Sequence, residues 1–578
     1  MRFCVESIRQ LRSVIRKTVC TEWSCTEWFT HASSGCGTSG VACSCHGCNS
    51  IMLGLHPEVV KQMKSETGSA VGCRLPAALQ LSLLLLLLCG CGQESPRPVA
   101  PVATATTSAA HDNPQLTQQI QSFCGSCHAM PLPSSFPRDD WYREVRRGFD
   151  FYYESGKTHP DVPVQADVVR WFQEQAPEAL AITTPPSDSG PVSFQLNRIV
   201  SPEWLQREAS VSFVGPVSEN DAGRGLFISL MKSGAVGRTS AAGTDVRQLT
   251  DAAVNPAAVR VVDLNNNGQD DLILADLGSP MPADHDRGRI LWIPDHESSA
   301  RVISLLEGIG RAADVRAADF DSDGDLDLIA AEFGWHATGG LHLIRNDGLE
   351  QSTPQWSHER LDARSGPIHV PTADLNGDGR VDFISLISQE HEVIEAWLNL
   401  PGGFEKHVLY AAPDPSWGSS GIELCDIDSD NDLDIIYTNG DTFDSNLMKP
   451  YHGIWLLRNQ GNLEFQAEQL QKAPGVHRAL PADVDQDGRI DIIACAVLPV
   501  AALPQKEQPQ PASLMWLRQT ESGSFQPFRI SDTTPAYAAI CTGDVDSDGD
   551  PDIIAGCFEE AESKSNEVLH IFMNQLAR

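Results

Sequence analysis

Hydrophobic residues fall in short runs along residues 191–578, and a loop with acidic residues at alternate positions precedes most of these runs. Runs such as FISLI (383–387) and IIYTN (435–439) are rich in branched or aromatic residues and have the length of a buried strand. Further strand patterns follow, for example at 340–348 and 452–461. The unit recurs at intervals of 52 to 61 residues, which matches a four-stranded blade. The pattern predicts a mainly β fold and a β-propeller over 191–578.

The acidic loops share the pattern D-x-[DN]-x-[DN]-G-x-x-D. Side-chain oxygens at positions 1, 3, 5 and 9 can converge on one hard cation because Gly at position 6 allows a sharp turn, and a backbone carbonyl and water complete the shell. An EF-hand would need Glu at position 12 and flanking helices, whereas strands follow here. The six loops therefore predict about six Ca²⁺ sites. The predicted ligands are Asp263, Asn265, Asn267 and Asp271; Asp319, Asp321, Asp323 and Asp327; Asp374, Asn376, Asp378 and Asp382; Asp426, Asp428, Asp430 and Asp434; Asp483, Asp485, Asp487 and Asp491; and Asp544, Asp546, Asp548 and Asp552.

The formal net charge of −35 argues against a nucleic-acid partner, which needs a basic surface. Aspartate occupies 21 of the 24 predicted ligand positions, so much of the acidity is explained by cation sites. The alternative is that these aspartates form turns without metal. Asn265 and Asn267 predict a weaker first site, and Asn431, which replaces the Gly of the fourth loop, must adopt a left-handed conformation.

The repeat resembles the FG-GAP/VCBS family, whose best-known propeller is that of integrin α chains, and the resemblance covers 191–578. Residues 211–245 have the strand–loop–strand rhythm without the carboxylates, which indicates a degenerate first blade. The last blade lacks its outer strand, but SFQLNRI (193–199) matches the outer-strand sequence SFQPFRI (524–530). The N-terminal strand is therefore expected to complete the last blade and close a ring of seven.

A second face of the propeller is predicted opposite the acidic loops. If each acidic loop joins the first and second strands of a blade, the other connections must lie at the far ends of the strands. Loops on a rigid propeller mouth are common ligand sites, although the same side chains could simply satisfy hydrogen bonds at the blade entrances. The candidate ligand-binding residues on this face are His336, His369, Trp417, Asp441, Lys449, Tyr451, His452 and His477.

The N-terminal part of the chain is predicted to direct export. The apolar run at 77–88 is too short to span a bilayer as a helix, and basic residues precede it, so 63–91 fits a signal peptide. It ends in a sequence that resembles a bacterial lipobox, with Cys91 as the lipidated residue; a plain secretory signal is the alternative. Residues 1–62 precede the signal and are interpreted as an over-extended gene start, and 92–112 as a flexible tether. A metal knuckle at Cys43, Cys45, His46 and Cys48 is the alternative for the first segment.

Between the tether and the propeller lies a C-x-x-C-H sequence, formed by Cys124, Cys127 and His128, which is the attachment signature of c-type haem. Helical patterns occur at about 115–124, 141–153 and 166–178. The segment 113–181 resembles an all-α class I cytochrome c domain, with 182–190 as a linker. That family usually supplies a Met-Pro distal ligand. His159-Pro160 stands here in its place, so the resemblance implies His128 as proximal and His159 as distal ligand of a single haem. A five-coordinate iron is the alternative, as is a structural disulfide without haem.

Cys541 and Cys557 flank the last acidic loop, and a disulfide between them is plausible in an exported protein, whereas Cys425 and Cys495 are expected to be buried and free. Together these patterns predict a periplasmic or outer-envelope electron-transfer protein whose propeller binds a redox partner, a small molecule or a glycan. Two alternatives remain open. One is a propeller oxidoreductase that passes electrons from a small substrate, such as a sugar, to the haem; the other is an integrin-like adhesion protein.

Overall fold

The computed structural model describes residues 113–182, 188–200, 210–217, 225–240, 246–296, 301–348, 355–443, 445–505, 510–531, 536–558 and 567–576. These residues belong to one compact unit, 104–578. The predicted signal, the lipidation site Cys91, the segments 1–62 and 92–112 and the alternative metal knuckle all lie outside the described residues. The structure does not test those predictions.

Three helices form a small module before the propeller: α1 (Pro114–Cys124), α2 (Trp141–Glu154) and α3 (Gln165–Gln175), with 3₁₀ turns at Pro133–Ser135 and Arg138–Asp140. They lie where the sequence predicts helices. The Asn113 side chain caps α1 by accepting from the N–H groups of Gln115 and Leu116. The module has its own core, in which the rings of Trp141 and Phe172 stack 3.9 Å apart. None of the helices in the described residues has the length and apolar character needed to cross a membrane.

Seven antiparallel sheets follow, and the first strand of each blade lies at one edge of its sheet. In chain order the blades are β2 (Val211–Pro216), β3 (Leu226–Leu230), β4 (Val236–Thr239) and β5 (Arg247–Thr250); β6 (Pro256–Val262), β7 (Asp271–Asp276), β8 (Gly288–Ile293) and β9 (Ile303–Ile309); β10 (Ala312–Ala318), β11 (Asp327–Glu332), β12 (Gly340–Asn346) and β13 (Trp356–Asp362); β14 (Pro367–His369) with β15 (Thr372–Ala373), β16 (Asp382–Ile387), β17 (Val393–Leu400) and β18 (Gly403–Ala411); β19 (Ser419–Cys425), β20 (Asp434–Asn439), β21 (Gly453–Asn459) and β22 (Phe465–Lys472); β23 (Val476–Ala482), β24 (Asp491–Ala496), β25 (Leu514–Gln519) and β26 (Phe525–Ser531); and β27 (Ala536–Gly543), β28 (Asp552–Phe558) and β29 (Glu567–Asn574) with the N-terminal strand β1 (Phe194–Val200).

The sheets close into a seven-bladed propeller. The first strand of each blade contacts the first strand of the next, around the whole ring from β2 to β27 and back to β2. Strand β1 pairs with β29 in antiparallel register, with Phe194 opposite Asn574 and Arg198 opposite His570. This confirms that the N-terminal strand completes the last blade. The last blade thereby has four strands, and β29 is no longer an edge strand.

The second strands are the most buried strands of the blades. Every residue of β7, β11, β16, β20 and β24 is buried, which explains why these segments are nearly continuous apolar runs. Each acidic loop joins the first strand of a blade to the second, as predicted. The connections between second and third strands, and those between blades, therefore lie at the opposite face of the propeller.

Each first strand carries an irregularity that the sequence does not reveal. Its register with the second strand shifts at one position in every blade, for example between Ala312 and Asp314 and between Val476 and Arg478. Such bulges bend a strand and redirect the side chains beside them. The first strands line the propeller axis, so the bulges affect which residues face the central channel.

An amide side chain at the end of the third strand ties neighbouring blades together. Asn399 donates to the Phe320 carbonyl at 2.6 Å, and Asn574 donates to the Val484 carbonyl at 2.9 Å. In each case the acceptor belongs to the acidic loop of the preceding blade. The sequence signal of this contact is a recurrent Asn or Gln at the end of the third strand.

The predicted disulfide between Cys541 and Cys557 is wrong. Cys541 lies opposite Ile554 and Cys557 lies opposite Tyr537, so the two cysteines are several residues apart along the paired strands. A disulfide requires Cα atoms within about 7 Å, which directly opposed residues meet and these two do not. Neither cysteine forms a disulfide, and both are buried; Cys495 is likewise buried and Cys425 is half-buried.

Asn574 provides a test of the inter-blade contact. Asn574→Ala removes a buried amide that donates to Val484 and Pro551 carbonyls, and we expect a loss of about 1–3 kcal/mol in the free energy of unfolding because buried acceptors lose a donor. Urea denaturation measures the change. The exposed neighbour Gln575→Ala is the control, and equal stability of the two variants would contradict the assignment.

Candidate functional site

The acidic loops are closed by their first residue. In the loop of the third blade, the Asp319 carboxylate accepts from the N–H groups of Asp323 at 3.2 Å and Gly324 at 3.1 Å. The corresponding bonds occur in all six loops. Left-handed residues at positions 4 and 6 make the turn possible: Ser322 has φ 63° and Asn431 has φ 73°. The expectation for Asn431 is thus confirmed.

Carboxylate oxygens converge in four of the loops. In each group below, one oxygen from each of three aspartates lies within 4.8 Å of the others, a separation that a single divalent cation can bridge. Burial and the neighbouring Asp323 raise the pKa of Asp321, as expected for crowded like charges. The groups are Asp319, Asp321 and Asp323; Asp426, Asp428 and Asp430; Asp483, Asp485 and Asp491; and Asp544, Asp546 and Asp548.

Two oxygens at position 3 support the same interpretation. Oδ1 of Asp485 and Oδ1 of Asn265 are buried and have no hydrogen-bond donor among the described residues. A buried acceptor without a donor is costly unless something else satisfies it, and a cation does so. The donor set of these loops therefore fits a calcium ion.

The ninth residue of each loop has an additional structural role. Asp327 is buried and accepts from the N–H groups of Phe320 in the loop at 3.3 Å and Asn346 in the third strand at 2.8 Å. Burial raises the pKa of Asp327 to about 6 and does the same for Asp491 and Asp552. Asp491 belongs to a converging group, whereas a ligand role for the other ninth residues stays a prediction. Those residues are Asp271, Asp327, Asp382, Asp434 and Asp552.

Not all six loops are equivalent. In the loops that begin at Asp263 and Asp374 no three aspartates converge in this way, and asparagine offers an amide oxygen in place of a carboxylate at Asn265, Asn267 and Asn376. The Asn267 amide donates to Asp295 at 2.8 Å. Arginine side chains also pair with some of the predicted ligands. Ion pairs link Arg380 to Asp378, Arg489 to Asp487, and Arg518 to Asp485. The sequence analysis did not anticipate these competing cations.

The loop of the third blade gives the sharpest test of calcium binding. Asp321→Ala should remove one calcium ion from the stoichiometry measured by calorimetry. At a calcium concentration of about 100 times Kd, the loss should be about 2.7 kcal/mol of calcium-dependent stabilisation. In EDTA the variant should be at least as stable as the parent protein because repulsion by Asp323 is relieved.

The matched control is Asp325→Ala, since position 7 is expected to contribute only its backbone carbonyl. Thermal unfolding with and without calcium compares the three proteins. A melting temperature of the parent protein that does not change between calcium and EDTA would contradict the calcium assignment.

The C-x-x-C-H residues lie at the end of α1. Cys124 is the last residue of the helix and is half-buried, whereas Cys127 is exposed, and both thiols are free. Burial and the neighbouring Cys127 raise the pKa of the Cys124 thiol to about 12, so it stays protonated. The His128 Nδ1 atom lies 2.7 Å from the Ala129 carbonyl, which leaves Nε2 available as a ligand.

His159 lies beside α1. Its ring is 5.5 Å from that of Phe123, its Nε2 lies 3.4 Å from the Ser122 hydroxyl, and its Nδ1 accepts from the Asp161 N–H at 3.2 Å. Because Nδ1 accepts, Nε2 carries the proton in this arrangement. The structure thus places His159 next to the helix that carries the cysteines, but it would have to give up this bond or rotate to bind a metal through Nε2.

The helical module docks on the propeller face opposite the acidic loops through Asp414. This fully buried carboxylate accepts from the Leu132 N–H at 2.6 Å and the Ser135 hydroxyl at 2.7 Å with one oxygen. Its other oxygen accepts from the Ser416 N–H at 2.7 Å. Asp414 therefore joins a turn of the module to the connection between the fourth and fifth blades. Sequence reasoning missed it, because nothing local identifies a contact across more than 270 residues.

Several predicted ligand-face residues take part in this docking. Lys449 is buried, donates to the Ser416 carbonyl and lies 4.8 Å from the ring centre of Phe136 in the module. Tyr451 stacks on Trp417 at 4.4 Å. A second contact joins Phe151 of α2 to His336, with ring centres 4.7 Å apart. Part of the predicted ligand face thus serves as the docking surface of the module.

The other candidates occupy two further environments. His452 lies beneath the docked loop; its Nδ1 accepts from the Lys449 N–H, and its buried Nε2 has no hydrogen-bond partner among the described residues. Asp441 accepts from the Phe443 N–H at 2.9 Å in the same loop. His369 and His477 instead lie on first strands that line the central channel. The structure therefore does not bring all eight candidates together, and a ligand role for each stays a prediction.

Asp414 allows the docking to be tested. Asp414→Asn removes the negative charge of the carboxylate that accepts hydrogen bonds from Leu132 and Ser135. We expect the free energy of unfolding to fall by about 1–3 kcal/mol and hydrogen exchange at the Leu132 amide to become faster. Mass spectrometry of deuterium uptake measures the exchange. Ser416→Ala is the control because it removes a bond only on the propeller side; equally fast exchange in the control would contradict the proposed role.

Comparison with known proteins agrees with the repeat. Residues 319–385 and 374–437 match the FG-GAP-like repeat. No curated protein matches the chain. Among solved structures, the fold is similar to virginiamycin B lyase from Staphylococcus aureus (10% identity, TM-score 0.41, 66% of this chain and 99% of that one) and to a streptogramin B lyase (11%, 0.41, 66% and 98%). It is also similar to a gluconolactonase from Xanthomonas campestris (13%, 0.33, 55% and 94%).

Proposed function

We propose that the chain is an exported electron-transfer protein, in which a c-type haem is attached to the helical module and the calcium-binding propeller acts as its platform. The observation that carries the proposal is the pair of free thiols at Cys124 and Cys127 beside His128. When bound, the haem iron would supply one-electron transfer. The remainder of the described chain is a seven-bladed propeller, in which residues 319–385 and 374–437 match FG-GAP-like repeats.

The residues around the signature suit this role. Cys124 and Cys127 would form the thioether bonds and His128 would be the proximal ligand. The high pKa of Cys124 keeps it as a thiol, and the thiolate is the form that attacks disulfides. The contact between His128 Nδ1 and the Ala129 carbonyl fixes the ring orientation, as is usual for a metal-bound histidine. Phe123 packs against Phe149 at 5.2 Å and so provides an apolar wall next to the signature.

His159 is the proposed distal ligand. Its position beside α1 favours this role, and the hydrogen bond that it accepts from Asp161 disfavours it. Two histidine ligands would give a lower reduction potential than a histidine and a methionine. A five-coordinate iron is the alternative, in which His159 would keep its hydrogen bonds to the module.

The propeller would hold the module and bind a partner. Docking through Asp414 and Lys449 fixes the helical module on one face, and calcium ions would stabilise the loops on the other. The net charge of −35 favours association with a basic surface on a redox partner. A small molecule or a glycan at the remaining loops is the alternative ligand. Export, with lipid attachment at Cys91, would place this chemistry in the periplasm or on the outer envelope.

Absorption spectroscopy tests the haem proposal. The chain, expressed with export and haem-maturation machinery, should show reduced c-type bands, and the haem should remain attached after denaturation. Cys124→Ala and Cys127→Ala should each weaken covalent attachment and His128→Ala should alter the spectrum, whereas the propeller variant Cys425→Ala should behave as the parent. A folded protein that lacks c-type bands would rule out the proposal.

The distal ligand has a separate readout. His159→Ala should convert a low-spin six-coordinate spectrum to a high-spin one, while attachment stays intact. A low-spin spectrum that survives this substitution would exclude His159. A charge-transfer band typical of methionine–iron ligation in the parent protein would exclude it as well.

A further inference from the structure

Charged side chains from five consecutive blades meet in the central channel. They lie on the first strands, either three or five residues before the first aspartate of the acidic loop of the same blade. Asp314, His369 and Arg478 each follow directly on the register shift of its strand, where a bulge redirects side chains. The channel cluster consists of Arg260, Asp314, Arg316, His369, Glu423 and Arg478.

Asp314 is the centre of one half of this cluster. It is fully buried, forms an ion pair with Arg260 and accepts from the Val370 N–H at 3.2 Å. Each nitrogen of the Arg260 guanidinium makes a hydrogen bond, because the group also donates to the Val315 carbonyl at 3.2 Å and the Val259 carbonyl at 3.0 Å. Asp314 and Arg260 thus satisfy each other.

The other half is centred on Arg478. This side chain forms an ion pair with Glu423 and lies 3.2 Å from Nε2 of His369. His369 is in turn 3.6 Å from Asp314. Burial and the nearby Arg478 lower the pKa of His369, so the imidazole is neutral at pH 7 and adds no positive charge. Arg478 and Glu423 therefore also neutralise each other.

Arg316 is left without a carboxylate of its own. Its ionic contact is a 3.5 Å approach of Nε to Asp314, which Arg260 already neutralises, and this buried Nε has no hydrogen-bond partner within the described residues. Its side chain is 29% exposed in the channel. Three guanidinium groups face two carboxylates, so the cluster has an excess of one positive charge in a protein of net charge −35. A partly buried cation in excess attracts an anion.

The chemistry of arginine defines the class of that anion. A guanidinium group presents paired N–H donors that match the oxygens of a carboxylate, sulfate or phosphate. On the face that carries the module, Phe443 lies across the blades, since its ring packs on His477 at 5.7 Å and Phe558 at 5.5 Å. We propose that the central channel binds one small oxyanion at Arg316, reached from the side of the acidic loops.

Calorimetric titration of the full chain tests this site in low-chloride buffer that contains calcium. Sulfate and acetate are the two probes, and they distinguish a tetrahedral from a planar oxyanion. We expect saturable binding of one equivalent of at least one probe. Arg316→Gln should raise its Kd about tenfold or more because a charge-assisted hydrogen bond is lost. Arg316→Lys keeps the positive charge but not the paired N–H donors, and it should give a smaller increase in Kd.

The matched control is Arg146→Gln, an exposed arginine on α2 whose loss should leave Kd unchanged. Arg478→Gln is the second channel variant and should also raise Kd; it keeps the test decisive if Arg316→Gln does not fold. Circular dichroism checks the fold of each variant. The proposal fails if neither probe binds saturably to the parent protein, or if binding is equally strong in both folded channel variants.

Discussion

The buried aspartate at the ninth position of each acidic loop is the interaction on which the propeller depends. Asp327 illustrates it: one oxygen accepts from the start of its loop and the other from the end of the third strand, so one carboxylate fixes three elements of a blade. The same two bonds recur at Asp382 and Asp552. Burial of a carboxylate is unfavourable, and the raised pKa of Asp327, to about 6, expresses that cost. A divalent cation in the adjacent loop would lower it, because positive charge stabilises the ionised form.

The sequence allowed the blades to be predicted because their signals are local. Loop spacing, the apolar second strands and the similarity of 193–199 to 524–530 were sufficient to predict seven blades and their closure. Position 6 of the fourth loop was also predictable, since few residues other than Gly and Asn tolerate the left-handed conformation that Asn431 adopts. For the metal groups, residue type and spacing predicted which side chains are candidate ligands. They did not predict the arginines that compete for Asp378 and Asp487.

Contacts between distant parts of the chain were not predictable in this way. The register of β27 and β28 depends on pairing along the whole strand, and it separates Cys541 from Cys557. Asp414 has no neighbour in the sequence that indicates its partner, since Leu132 and Ser135 belong to the helical module. Residues such as Lys449 and Tyr451 looked like ligand residues because they are polar and aromatic in a long loop. Those same properties suit a docking surface, where a cation can pack on aromatic rings.

The first strands connect the two faces and the channel. Each first strand runs along the axis from the face that carries the helical module to the acidic loops, and Arg260 and Arg316 lie three residues before the first aspartates of their loops. Carboxylates at the rim attract the channel arginines and repel anions. Calcium in those loops would make this local charge less negative over a distance of a few residues, where screening by salt is incomplete. Metal binding at the rim and anion binding in the channel are therefore electrostatically coupled in the direction that makes each ion strengthen the other's site.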